Sequence, residues 1–198
     1  MTDLQEQAGA ERPSTRPGKR ERLVDGARQV FYEQGVDTTT LADIAQAADV
    51  PVGNVYYYFK TKDELVTAAI AEHARDVQEA LESLEIHEAG KPRLKALVRM
   101  LSEKSDLTAR YGCPQGTLCS ELDKRNDALS SACAEMMRLP VEWAERQFRE
   151  MGRRDARDLA FALIASYQGI ALLTNAFREP DLMLREGRRL QRWIDSLE

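Results

Sequence analysis

Nearly every segment of this chain repeats its apolar residues with the period of an α-helix, and no run alternates convincingly with period two. That pattern restricts the fold to the all-α class. A first helix is predicted from Lys19 to Gln34, with Leu23, Ala27, Val30 and Phe31 on one face and Gly35 as its stop. Thr40 suits the N-cap of a short second helix carrying Leu41, Ile44, Ala45 and Ala48, with Asp43 at its positive end. Asp49-Val50-Pro51 reads as a turn, and Pro51 opens a third helix from Val52 to Phe59. Thr61 and Glu64 have the spacing of a capping box for a fourth helix reaching about Leu84. Gly90 and Pro92 precede a fifth, with Leu94, Leu97, Val98 and Leu101 on its apolar face. Tyr111-Gly112-Cys113-Pro114 is a break, followed by a short helix over Gly116 to Leu122. Pro140 is expected to kink or split a long helical stretch from Asn126 to Met151. Asp155 to Phe177 is the most apolar segment, and Pro180 opens a last helix that frays near Ser196.

With 198 residues, 43% of them hydrophobic and 31% charged, the chain can bury a core without metals or disulfides. Three cysteines, Cys113, Cys119 and Cys133, are too few for a disulfide scaffold. Residues 1–17 are polar, lack the apolar centre of a signal peptide and read as a disordered tail. No apolar stretch approaches the ~20 residues that cross a bilayer, so a cytoplasmic protein without a membrane partner is expected. The net charge of -5 argues mildly against nucleic acid. Its distribution matters more. Arg12, Arg16, Lys19, Arg20 and Arg22 lie before and within the first helix, and Lys60 and Lys62 flank an aromatic run. A locally basic end on an acidic body can still hold phosphates, because exposed charges are screened beyond ~8–10 Å.

Residues 19 to 62 have the layout of a helix-turn-helix, three short helices with a tight turn before the last. The third helix contains Tyr56, Tyr57 and Tyr58, and helical geometry sets consecutive side chains about 100° apart. The three cannot all point inward. Exposed phenols beside lysines are what phosphate contact requires; a short packing helix with tyrosines at its rim is the plainer alternative.

The segment resembles the tetracycline-repressor family of transcriptional regulators. The resemblance is carried by Phe31, Gly35, Thr40, Ile44-Ala45, Val50, the run from Val52 to Phe59, and Lys62-Asp63-Glu64-Leu65. It implies a DNA-binding domain over 18–64 and a ligand-binding and dimerisation domain over 65–198. It implies that Val52, Gly53 and Asn54 face base edges and that Tyr57 sits in the groove. Thr40, Tyr56, Tyr58 and Lys62 would hold phosphates, while Val55 and Phe59 would be core. The chain departs from the family where Tyr58 replaces a frequent histidine and Pro51 a frequent serine. Gly53 permits close backbone approach but has no side chain to read a base. Asn54 is the best base reader, since an amide pairs with adenine at two points.

The resemblance also implies a homodimer on a double-stranded DNA operator, a repressor released by a small-molecule inducer, and no cofactor. Its last two long helices would form the dimer. Leu159, Leu163, Tyr167, Ile170 and Thr174 follow one stripe of the apolar segment, and Ala162, Ser166, Gly169 and Leu173 a neighbouring one. Two usable faces suit a helix between a core and a partner subunit. Ala162, Ala165 and Gly169 would allow close approach, and Leu173, Leu184, Leu190, Trp193 and Ile194 would complete the interface; a central helix of a monomer is the alternative. Met100, Tyr111, Cys113, Cys119, Met136, Trp143, Phe148 and Tyr167 are candidates for a pocket, or else plain core. The stretch from Tyr111 to Leu118, with two glycines and a proline, is expected to be a pocket wall or gate.

Other functions are less well supported. His73 and His87 stand on or just after the fourth helix, and neither a glycine-rich phosphate loop nor a Gly-x-Ser-x-Gly elbow is present, so no enzyme is expected. The cysteine spacing matches no usual zinc ligand pair. A thiol-based redox regulator using Cys113 and Cys119, six residues apart, remains an alternative to two buried unreactive thiols. A protein-only interaction module is opposed by the Tyr and Lys cluster.

Overall fold

The computed structural model describes residues 17–125 and 128–197; the tail over 1–16, with Arg12 and Arg16, and the expected helix start at Asn126 lie outside them. Among the described residues the chain forms ten α-helices and no strand. Helices α1 (Lys19–Gln34), α2 (Leu41–Ala47) and α3 (Val52–Tyr58) make the N-terminal unit. The long α4 (Lys62–Ser83) leads to α5 (Lys91–Ser102), α6 (Ser105–Tyr111) and α7 (Pro114–Leu122). Three long helices complete the chain: α8 (Ala128–Glu150), α9 (Ala156–Phe177) and α10 (Pro180–Ser196).

Local signals account for most of the ends. Gly35 stops α1 with φ +87, a region that L side chains avoid. Thr40 caps α2: its hydroxyl accepts from Asp43 N, and the Asp43 carboxylate accepts from Thr40 N at 2.8 Å. Those bonds from Thr40 hold the Asp43 carboxyl below its ordinary range. At α4 the expected reciprocal box is only half made. Thr61 accepts from Glu64 N, but Glu64 reaches past it to Lys60 N at 2.7 Å. Pro140 does not split α8, which runs through it as one helix. The ring removes one N–H, and Pro140 and Met136, whose carbonyl would have taken it, both border a cavity.

Two apolar cores share the molecule. The first joins Leu23, Phe31, Ile44, Val55 and Phe59 to Leu65, Val66, Ala69 and Ile70 of α4, and continues through Leu118, Leu122, Leu129 and Met136. The packing of the head therefore runs past residue 64 into α4, α7 and α8. The second gathers Leu94, Leu97, Trp143, Phe148, Leu163 and Ile194. Helix α9 alone among the described helices is long and apolar enough to cross a bilayer, which corrects the expectation that no such stretch exists. Arg157 and Asp158 in its first turn and Ser166, Gln168 and Thr174 further along break up the apolar run and hide its length in the sequence. Most of the helix is not buried within the chain, a point that bears on the surface described below.

Candidate nucleic-acid interface and interior cavity

Helix α3 is fastened by one side and bare on the other. Val55 is fully buried and Phe59, its C-cap, nearly so, tying it to Ile44 and Phe31. Tyr57 is 77% exposed, Tyr56 55% and Val52 51%. These values agree with the expectation that the three tyrosines do not all point inward. A Cβ on Gly53 would meet nothing within 4 Å, so the helix start faces open space. Asn54 is half-buried, and Tyr58 is half-buried against the core with its ring edge-on to Tyr57 at 4.9 Å.

The cations around α3 are partly engaged. Lys62 Nζ donates to Thr39 O at 2.7 Å and to Asp37 O at 3.3 Å, which leaves one of its three donors for a phosphate. Lys60 Nζ donates to Tyr56 O at 2.7 Å. Arg22 holds the α2–α3 turn through Ala48 O and Asp49 O at 3.0 and 2.9 Å. Thr40 is exposed, and its hydroxyl also donates to Asp43 at 2.7 Å.

Behind the head lies a cavity of about 280 Å³. Of the eight expected lining residues, the structure brings Met100, Met136 and Tyr167 to its wall. The other five stand elsewhere. Trp143 and Phe148 are the largest side chains of the second core, where their volume is fully used. Tyr111 packs its ring on Tyr32, 5.2 Å between centroids, beneath Arg110. Cys113 turns its thiol back to cap α7 through Gly116 N. Cys119 packs at the edge of the first core, its thiol donating to Cys133 O. A hydrogen bond with Cys133 and burial both push the Cys119 thiol well above its ordinary range, the opposite of an activated thiolate. Cys113 and Cys119 belong to separate apolar clusters, Cys119 beside Cys133 in the first and Cys113 in a small third one. The Tyr111–Leu118 segment does contribute to the wall, through Pro114 and Gln115. Gly116 allows this: a Cβ there would fall 2.6 Å from Gln168 Oε1, another lining residue.

Sequence reasoning missed the polar lining. Arg28 and Tyr32 of α1 and His73 and Asp76 of α4 all border the cavity. Arg28 donates to Asp76 and sits 3.4 Å from His73 Nδ1. Burial, then the Arg28 charge, push the His73 imidazole down to about 4. Tyr32 OH donates to Gly112 O at 2.8 Å and Leu107 O at 3.2 Å; burial first, then Cys113 and Tyr111, raise it to about 12. Burial likewise raises the Tyr167 phenol, with Cys113 beside it. The available signal was polar spacing on the inner side of two helices, Arg28 to Tyr32 at i,i+4 and His73 to Asp76 at i,i+3. A third tie joins head to body where Glu121 accepts from Val36 N at 2.8 Å and Asp37 N at 2.6 Å.

On α9, Leu163, Ile164, Ala171 and Thr174 face inward, whereas Ala162, Ala165, Gly169 and Leu173 are exposed beside Phe161, Leu172 and Phe177. Leu190 and Trp193 are half-buried and pack inward on the second core, Trp193 edge-on to Phe148 at 6.3 Å.

A family model described as bacterial regulatory proteins, tetR family, matches residues 23–74. The HTH-type transcriptional repressor DhaR of Mycobacterium sp. (strain GP1) is 31% identical over 163 residues, 77% of this chain and 80% of that one. The HTH-type transcriptional regulator TtgR of Pseudomonas putida is 28% identical over 189 residues, covering 89% and 88%. A TetR transcriptional regulator of known structure from Chloroflexus aurantiacus superposes with a TM-score of 0.81 at 23% identity, over 90% of this chain and 94% of its own. The bare aromatic face of α3 thus lies within the stretch the family model covers, and the likeness to DhaR extends well beyond it: the chain belongs to the tetR family of transcriptional regulators.

Proposed function

We propose that this regulator is a homodimeric repressor that binds a palindromic operator and is released from it by a small molecule. One observation carries the reading: α3 buries Val55 and Phe59 while Val52, Tyr56 and Tyr57 stand uncovered. A helix in that posture fits the major groove. Val52, Gly53 and Asn54 meet base edges, Tyr57 enters the groove, and Thr40, Tyr56, Tyr58 and the remaining Lys62 donor hold phosphates. Recognition of this kind requires no chemistry, so the action is binding alone, in the cytoplasm and on double-stranded DNA.

The dimer forms through the exposed α9 surface of Ala162, Ala165, Gly169 and Leu173, whose small residues allow close helix approach. Leu190 and Trp193, half-buried on α10, add their uncovered surface to it. The symmetric pair sets its two α3 helices about one DNA turn apart, ~34–36 Å. The inducer occupies the 280 Å³ cavity. Because Arg28 and Tyr32 of the head form part of its wall, an occupant that favours a different placement of α1 lowers DNA affinity by that preference and no more. Selection of bound duplexes from a random pool, with sedimentation of the complex, tests the whole reading. Two inverted half-sites bound by two copies are expected; a pool that stays random at low salt would sink it.

A further inference from the structure

The cavity is chemically lopsided. Met100, Met136 and Met137 with Leu101 supply an adaptable apolar wall. Its charged lining residues are Arg28, Lys104 and Asp76, two positive and one negative. Asp76 is already paired with Arg28. Lys104 is exposed and its ammonium has no partner among the described residues. The Arg28 Nε–H is buried without an acceptor. A guanidinium can only donate, so His73 Nδ1 must be the acceptor in their contact, and the neutral ring carries its proton on Nε2. That N–H has no partner among the described residues either. At Gln115 the carbonyl is taken by the Cys113 thiol at 3.3 Å, which leaves its amide N–H groups.

The unmet groups are thus mostly donors, two of them cationic, while the acid is satisfied. A cationic guest would meet a net positive lining and compete with Arg28 for Asp76. A neutral guest would leave Lys104 without a counter-charge. A carboxylate, which only accepts, answers the set, and charge-assisted bonds offset its desolvation. We propose that the cavity selects a compact, largely apolar monocarboxylate, its charge held against the Arg28, His73 and Lys104 lining; this rests on the inducer reading above.

The test uses three probes that share one body: phenylbutyrate, phenylbutanamide and phenylbutylamine, each titrated calorimetrically into the full-length chain. The acid is expected to bind about tenfold more tightly than the amide, and the amine more weakly still. Lys104→Glu, a side-chain change at an exposed position, is expected to erase the acid's advantage. Equal affinities, a preference for the amine, an unaltered preference in the variant, or no binding of the acid overturns the proposal. The same probes are added to the complex with selected duplex. An acid that binds preferentially yet leaves DNA bound keeps the ligand class and removes the inducer reading. An amide or amine that releases DNA while the acid does not bind does the reverse.

Discussion

Helix α3 presents its outer face from seven consecutive residues at the edge of a three-helix unit, whereas the cavity draws its wall from α1 and from every helix from α4 to α9. The first surface is local and convex. Tyr57 can be replaced there without removing anything that another helix leans on. The second is concave and shared, so its groups also hold elements together: Arg28 joins α1 to α4, and Tyr32 joins α1 to the end of α6. Substitutions on the outer face of α3 are therefore expected to have little effect on folding. Substitutions in the cavity wall are expected to disturb the joints between head and body.

The contrast can be broken at several points. The largest effect is expected deep in the second core, where Phe148→Ala removes a fully buried ring and lowers stability by about 3–5 kcal/mol in urea unfolding. A loss under about 1 kcal/mol would show that this core is no stiffer than the head. Next comes His73. Its folded imidazole titrates near 4 against an ordinary 6.5, so between those values the unfolded chain binds more protons. Stability is therefore unaffected above about pH 6.5 and falls as pH drops toward 4, by about 1–3 kcal/mol. His73→Gln is expected to flatten that acid slope in unfolding midpoints taken at neutral pH and at pH values near 4.5; an equal slope in both proteins would assign it to other groups. Thr40→Ala is expected to cost about 1 kcal/mol through loss of the α2 cap. Smallest in stability is Tyr57→Ala, within about 0.5 kcal/mol, though it weakens duplex binding markedly. Paired melting and gel-shift measurements check it, and a variant that melts early while binding normally would invert the comparison.

The same division decides what can be read without a structure. Gly35, Thr40 and Pro51 act on neighbours within a few positions, so the ends of α1 to α3 follow from chain order alone. The burial of Val55 and Phe59 is legible only through the family resemblance. The cavity does not follow, because its membership depends on which helices meet. Trp143 and Phe148 suggest a pocket by their size, yet size is what sends a side chain to a dry core. Arg28 and His73 lie 45 positions apart, and their contact arises only once α1 and α4 are brought side by side. Lys62 shows a limit of another kind: residue type gives its charge, but not the two carbonyls that hold two of its three protons.

Glu121 grips the main-chain amides of Val36 and Asp37 and neither side chain. Such a joint is indifferent to the identity of the residues it holds, provided the backbone after Gly35 keeps its shape. Side chains on the outer face of α3 can therefore change while this fastening stays intact. By the same logic, a foreign N-terminal unit with an equivalent loop would keep this clasp, and only the Arg28, Tyr32 and apolar contacts would have to be matched residue by residue.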